Sequence, residues 1–211
     1  MAGVPSVFVR LAGCPLRCRW CDTKYAWDAT SGRSYNIAKI VHAIRRWPCR
    51  FMVITGGEPM INPELPQLVS RLKDLGKHLI IETAGIKFIP DMPCDLMSIS
   101  PKLSNSTPTD PAIASMHEKS RLNIAALRNL VDSYHYQIKF VVNFPADLDE
   151  ISQILKKVGN INLEKVMLMP QAATKDELLA KSPMVAKMCK RNGFAFCQRL
   201  HLLLWNNKRG T

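Results

Sequence analysis

No apolar run in this 211-residue chain approaches the roughly 18–20 residues that a helix needs to cross a bilayer, and the N-terminus lacks the basic-then-apolar order of a secretory signal. Together these absences exclude a helical membrane span and predict a cytoplasmic protein. Internal repeats, low-complexity tracts and Pro/Gly-rich linkers are also missing, so residues 1–211 are expected to form a single domain, long enough to bury a sizeable core. Acidic residues are scarce: 17 against 29 Lys and Arg, a formal charge of +12. Such an excess would suit a nucleic-acid partner, but the chain has no long basic tail and no aromatics interleaved with its basic residues. The charges are spread over Arg45 and Arg46, Lys73, Lys156 and Lys157, Lys187 to Arg191, and Lys208 to Arg209. A solvated basic surface that favours anionic ligands is expected, and nucleic acid is not the expected main partner.

What is present is a recurring unit. Short β-rich runs, SVFVRL (6–11), RFMVIT (50–55), HLIIET (78–83), DLMSIS (95–100), HYQIKFVV (135–142), KVMLMP (165–170) and FAFCQRLHLLL (194–204), end in Gly-, Pro- or polar-rich loops. Stretches with helical apolar spacing follow several of them. Asn36 is placed to cap a helix carrying Ile37, Ile40, Val41 and Ile44 that Pro48 stops, and Leu65, Leu68, Val69, Leu72 and Leu75 form a second apolar face ahead of Gly76. Three more faces run through Ile124–Val131, Leu148–Val158 and Leu178–Met188. Strands alternating with helices predict parallel β-α units with right-handed crossovers. About seven strands, one fewer than a closed barrel, favour an α/β fold built as a partial, open β/α barrel, with a doubly wound sheet as the alternative. Either fold gathers the strand-end loops 13–27, 56–59, 82–85, 100–103, 143–145 and 170–174 on one rim.

The first of these loops, GCPLRCRWCDTKYAW, holds Cys14, Cys18 and Cys21. Their i, i+4, i+7 spacing would also suit buried thiols on one face of a short helix. Gly13, Pro15 and the high local charge instead describe a loop leaving the first strand, and a loop can wrap three sulfurs around one object. Cytosolic thiols stay reduced, so clustered cysteines point to metal or catalysis. A closed structural zinc site needs four ligands, and neither Cys49, Cys94 nor the five dispersed histidines form a second pair. An iron-sulfur cube held by three thiolates leaves one iron open for a substrate or cofactor. After the second strand, TGGEP (55–59) is a plain tight turn or a close backbone approach to a ligand, with Glu58 as an acceptor for an ammonium.

Cys14-x3-Cys18-x2-Cys21, with Trp20 before the last cysteine and the Gly-Gly-Glu-Pro motif about 35 residues on, resembles the signature of radical S-adenosylmethionine enzymes. The resemblance implies a partial β/α barrel holding a 4Fe-4S cluster, whose open iron is chelated by S-adenosyl-L-methionine and whose electron cleaves the sulfonium. CDTKYAW (21–27), SPKL (100–103) and RLHLLLWNNKRGT (199–211) are similar, more narrowly, to the 7-carboxy-7-deazaguanine synthase family. That likeness implies a lyase of queuosine biosynthesis, which converts 6-carboxy-5,6,7,8-tetrahydropterin to 7-carboxy-7-deazaguanine with loss of ammonia. It further implies Mg²⁺, an electron donor such as flavodoxin or ferredoxin, and a homodimer.

Matched residue by residue, the likeness assigns the cluster to Cys14, Cys18 and Cys21, and Mg²⁺ to Thr23, a residue that otherwise reads as a helix cap. The cofactor falls to Trp20, Cys21, Asp22, Gly57, Glu58, Ser100, Pro101, Lys102 and the loop Met169, Pro170, Gln171, Ala172. Arg10 and Thr55 become substrate contacts, Arg10 having otherwise the look of a solvent-facing edge residue. Ser100–Lys102 includes a lysine suited to the methionine carboxylate. His201 on the last strand reads as a core histidine, with a place facing the site as the alternative, and Cys49, Cys94, Cys189 and Cys197 read as small apolar residues. Family members begin with a further strand and a Gln-Gly-Glu-Gly loop that this chain, starting Met1-Ala2-Gly3, does not show, so weakened substrate binding is expected. Two other functions fit the three cysteines: an activase that installs a glycyl radical on a partner, and a non-catalytic metal module binding nucleic acid.

Overall fold

The computed structural model describes residues 3–208; Met1, Ala2 and residues 209–211, which include Arg209 and the end of the 199–211 stretch, lie outside the described residues. Seven strands form one parallel sheet in chain order: β1 (Ser6–Leu11), β2 (Phe51–Gly56), β3 (His78–Thr83), β4 (Leu96–Ile99), β5 (Tyr136–Val142), β6 (Val166–Pro170) and β7 (Ala195–Phe196). The order never reverses, as it must in a doubly wound sheet, so the chain winds one way into an open β/α barrel. Among the described residues β1 and β7 are its two edges.

The helices form where apolar spacing and caps agree. In α1 (Ile37–Arg45) the Asn36 side chain accepts the Lys39 N–H at 2.8 Å. Helix α2 (Leu65–Lys73) buries Leu65, Leu68, Val69 and Leu72. Asn123 caps α4 (Ile124–Ser133), and Gly159, at φ 72°, closes α5 (Asp147–Val158). That helix carries Asp147, Asp149 and Glu150 in its first turn and Lys156 and Lys157 in its last, complementing its dipole. Thr174 caps α6 (Lys175–Asn192). Between them and the sheet lies the core, where Met52, Ile54, Leu79, Ile81, Met97, Ile99, Phe140 and Leu168 are all at 0% exposure.

Two elements differ from expectation. The last apolar run is a strand only at Ala195–Phe196, and then turns into helix α7 (Leu200–Trp205). Leu-His-Leu-Leu-Leu contains no β-branched residue and favours helix, and Leu202 packs with Ala172 and Leu178 in a small separate core. Helix α3 (Pro111–Ser120) was not expected: of its ten residues His117 alone is buried, so it has no apolar stripe. Its signal was local, Asp110 accepting the N–H groups of Ala112 and Ile113 ahead of Pro111 at the first turn.

Candidate active site

Residues 13–27 leave β1 as an irregular loop with a single 3₁₀ turn at Lys24–Ala26, so the helical alternative for the three cysteines does not hold. The loop is closed on itself by Gly13 N–H to Ala26 O (2.9 Å) and Cys14 N–H to Trp27 O (3.0 Å). Arg17 braces it from within, donating to Leu16 O at 2.9 Å and lying 5.2 Å from the Trp27 ring centre. The Gly-Gly pair then seats the loop on β2. Gly57 N–H donates to Leu11 O (2.9 Å) and Glu58 N–H to Gly13 O (2.8 Å). A Cβ on Gly57 would sit 2.2 Å from Gly13 O and 2.7 Å from Ala26 O, and one on Gly56, at φ 154°, would meet Leu11 O at 2.1 Å. Only glycine permits this approach.

All three cysteines are free thiols; Cys18 is buried and Cys14 and Cys21 are half-buried. Burial pushes the Cys14 thiol up to about 11 and raises Cys18 and Cys21 as well, while the charge of Lys102 pulls the latter two back. Iron removes that penalty by supplying positive charge at the sulfur. A single tetrahedral ion, with bonds of about 2.3 Å, would draw its sulfurs to roughly 3.8 Å from one another. Among the described residues no three His, Cys, Asp or Glu are gathered for one ion. Three soft thiols on one loop are the donor set that a cube would take, one to each of three irons.

The other predicted cofactor residues surround this loop. The Trp20 ring nitrogen donates to Asn105 O at 3.1 Å, and Lys102 folds back onto Ser100, 2.5 Å from its carbonyl and 3.0 Å from its hydroxyl. Glu58, 1% exposed, already accepts three hydrogen bonds. Its carboxylate accepts from Met60 N–H (3.0 Å), Thr83 Oγ1 (2.7 Å) and Ala84 N–H (2.6 Å), tying β2 to the end of β3. Burial raises its pKa against the pull of those bonds. Thr23 sits at the cap position of the 3₁₀ turn but makes no side-chain cap; its hydroxyl donates to Asp22 at 2.8 Å.

Beside the loop, the strand face turned away from the helices carries a polar cluster. Arg10 on β1 lies in register with Thr55 on β2, and its guanidinium reaches Gly56 O at 3.5 Å. Glu82 on β3 pairs with Lys139 on β5 at 2.8 Å. Burial opposes the Glu82 charge, but Lys139, Thr55 and Arg10 outweigh it and hold the carboxyl below its usual range; Lys139 is correspondingly raised by Glu82 despite burial. Arg199 completes the rim, donating to Ala172 O at 2.5 Å and pairing with Asp22, so one guanidinium joins the cysteine loop, the β6 loop and α7. Burial opposes the Asp22 charge too, yet Arg199, Thr23, His201 and Arg10 keep it ionised.

Glu82, Lys139 and Arg199 were missed from sequence. A charged residue between Ile138 and Phe140, both sealed in the core, was the available signal for Lys139. His201 is corrected: it lies on α7, exposed, and the charge of Asp22 reaches it. Of the predicted loop 169–172, Met169 and Pro170 belong to β6; the Ala172 carbonyl is tied to the cysteine loop through Arg199, whereas the Gln171 side chain accepts from Lys181 of α6 at 2.7 Å. Of the four other cysteines Cys189 is buried in the core and Cys94 packs against it; Cys197 instead lies within electrostatic reach of Lys139 and Glu82.

Comparison with known proteins places this geometry. Residues 9–113 match the model of the radical SAM superfamily. The chain is 38% identical to the 7-carboxy-7-deazaguanine synthase of Halobacterium salinarum, over all of this chain and 87% of that protein. With the synthase of Rhodopirellula baltica it shares 37% identity, covering 100% of this chain and 83% of the relative. Among solved structures, QueE from Escherichia coli superposes with a TM-score of 0.67 at 24% identity, covering 92% of this chain and 84% of that one. Streptococcus suis SuiB bound to precursor peptide SuiA gives 0.63 at 12% identity, covering 94% and 50%. The two structural likenesses speak to the fold.

Proposed function

The chain belongs to the 7-carboxy-7-deazaguanine synthase family, and on that premise we propose how its residues perform the family's reaction. The protein is a radical S-adenosylmethionine lyase of queuosine biosynthesis, converting 6-carboxy-5,6,7,8-tetrahydropterin to 7-carboxy-7-deazaguanine with loss of ammonia. Bound at the loop, the 4Fe-4S cluster and S-adenosyl-L-methionine would supply one-electron radical chemistry. Cys14, Cys18 and Cys21 hold the cluster.

The docking of Gly56–Gly57 onto the three-thiol loop carries this reading, because it brings two distant motifs within one backbone contact. The cofactor's ammonium falls to the main chain of Gly57 and Glu58, since the Glu58 carboxylate is buried and already accepts from three donors of the chain itself. Lys102 serves the methionine carboxylate, and Trp20, Asp22, Ser100, Pro101 and residues 169–172 line the nucleotide. Arg10 presents a fork to the pterin carboxylate, with Thr55 beside it, and the Glu82–Lys139 pair forms the polar floor. Asp22 and Thr23 offer adjacent hard oxygens at one edge, the donor type Mg²⁺ takes when substrate and water complete its shell. The exposed Arg19 and Lys24 of the loop favour an acidic reductant such as flavodoxin or ferredoxin. The edge strand β1, with Phe8 at 59% exposure, suits a homodimer, and the protein works in the cytoplasm.

Anaerobic reconstitution with iron and sulfide, then incubation with S-adenosyl-L-methionine, reductant, Mg²⁺ and the pterin, tests the reading. Mass spectrometry is expected to find both deoxyadenosine and 7-carboxy-7-deazaguanine. Finding neither, with a full complement of iron and sulfide, would overturn it.

A further inference from the structure

Helix α3 carries no apolar stripe, yet its one buried side chain, His117, is sealed at 0% exposure, as is the neighbouring Ser106. A polar ring taken out of water needs a partner on each nitrogen, and here both have one. The Arg17 backbone N–H lies 3.2 Å from Nδ1, and Ser106 Oγ lies 2.9 Å from Nε2. The two contacts agree on a single tautomer. A backbone N–H only donates, so Nδ1 accepts; the Ser106 hydroxyl already donates to Leu103 O at 2.6 Å, so it accepts from the Nε2 hydrogen. A protonated ring would set two N–H groups against each other at Nδ1, so the site selects the neutral form.

Through these contacts α3 reaches the stretch that carries Cys18. Ser106 O accepts Arg19 N–H at 2.8 Å, and Cys18 O, in the same peptide plane, accepts Cys21 N–H at 3.0 Å. Residues 17 and 19, on either side of Cys18, are thus both tied to the His117–Ser106 pair, and the second tie carries over to Cys21. Cys14 is held differently, by its own N–H on Trp27 O. The loop braces its first cysteine itself and relies on a helix for the other two.

We propose that His117 is a positioning residue that orders the Cys18–Cys21 stretch before any cluster binds, acting through the backbone of Arg17 and through Ser106. The inference rests on the assignment of the cluster to Cys14, Cys18 and Cys21. Ordering a backbone opposes binding, so a loop that is ordered beforehand holds its ligand more tightly and releases it more slowly. His117 itself touches no sulfur in this account, and no proton or electron passes through it.

Amide hydrogen exchange on the metal-free full chain reads the ordering directly, and iron release from the reconstituted protein to a chelator reads its consequence. His117→Ala is expected to speed exchange at Arg17 and Arg19 while the Phe140 amide of the core strand keeps the parent rate. Iron release should be about tenfold faster, the lower end of what losing an outer partner costs a metal site. His117→Asn places its carbonyl near the Nδ1 position and should restore protection at Arg17. His117→Gln places its amide nitrogen near the Nε2 position and should restore Arg19 instead.

Parent-like exchange at Arg17 and Arg19, or parent-like iron release, in His117→Ala overturns the inference. So does exchange that quickens equally at Phe140, which would make the histidine a prop of the whole fold. If the alanine variant does not fold, the other two decide: equal exchange at Arg17 in His117→Asn and His117→Gln overturns the proposal, and failure of all three to fold does the same. Failure of the cluster reading is distinct, because a parent chain that takes up no sulfide would leave the exchange pattern of the metal-free protein as it is.

Discussion

On the helix side of the sheet Ile54, Ile81 and Phe140 are sealed at 0% exposure. On the opposite side the residues one step along the same strands, Thr55, Glu82 and Lys139, are polar, and Glu82 and Lys139 pair at 2.8 Å. Neighbouring positions on a strand point to opposite faces, so a single residue of register separates a packed core from a chemical surface. The contrast shows how stability and function are divided here. The helix side draws on burial alone, whereas the polar side holds charges in place by pairing, which costs more to arrange and contributes less. A ligand can compete for such paired groups; it cannot displace a packed phenylalanine.

Substitutions on the two sides should therefore fail differently. The largest effect belongs to the loop that the polar side supports: Cys18→Ala is expected to abolish deoxyadenosine formation and reduce bound iron, with the denaturant midpoint of the metal-free protein nearly unchanged. On the core side, Phe140→Ala should lower stability by about 3–5 kcal/mol in urea unfolding. If it cost as little as a surface change, the distinction between the faces would collapse.

Gly57→Ala lies between the two cases. Its Cβ would collide with Gly13 O and Ala26 O at 2.2 and 2.7 Å, so backbone must shift. A loss of about 1–3 kcal/mol is expected, together with weaker cluster uptake by iron and sulfide analysis, because the collision falls on the cysteine loop itself.

The smallest effect, and the sharpest probe of the polar side, is pH. The folded Glu82 pKa is depressed, so its pairing contributes stability above the ordinary carboxylate range, and that contribution is lost as pH falls through the folded value. Lys139, raised in the folded state, contributes stability until pH climbs past the ordinary lysine range. In Lys139→Met the Glu82 contribution should reverse sign, weakening the protein at neutral pH and recovering on acidification. Because the Glu82 side chain is 36% exposed, solvent screening limits the difference to about 1 kcal/mol or less. Urea midpoints across the acid range would check it; parallel pH profiles for the parent and the variant would show the pair to be inert.

Much of this was legible in the chain. The spacing of Cys14, Cys18 and Cys21, the Gly-Gly pair and the strand-end positions are local patterns, and local patterns survive in one dimension. Helices α1, α2, α4, α5 and α6 announced themselves by apolar periodicity, with Asn36 marking the start of the first. Helix α3 did not, because its one buried side chain, His117, faces the loop it orders instead of the core. The helical fate of Leu200–Trp205 was hidden because so short a leucine-rich run has no period to read.

The polar partnerships were illegible for another reason. Glu82 and Lys139 are 57 residues apart, and Arg199 lies 177 residues from Asp22. A charge in isolation carries no mark of its partner, since Coulomb attraction depends on distance in space and not along the chain. The sequence by itself determined which atoms this protein can offer: three soft sulfurs in one loop, a glycine pair able to approach it, and alternating strands and helices to hold both. Only the tertiary structure decided which of the charges face one another, that Glu58 is bound inward by its own chain, and that Ser106 and His117 meet the cysteine loop at Arg19 and Arg17, because packing brings together groups whose positions along the backbone are unrelated.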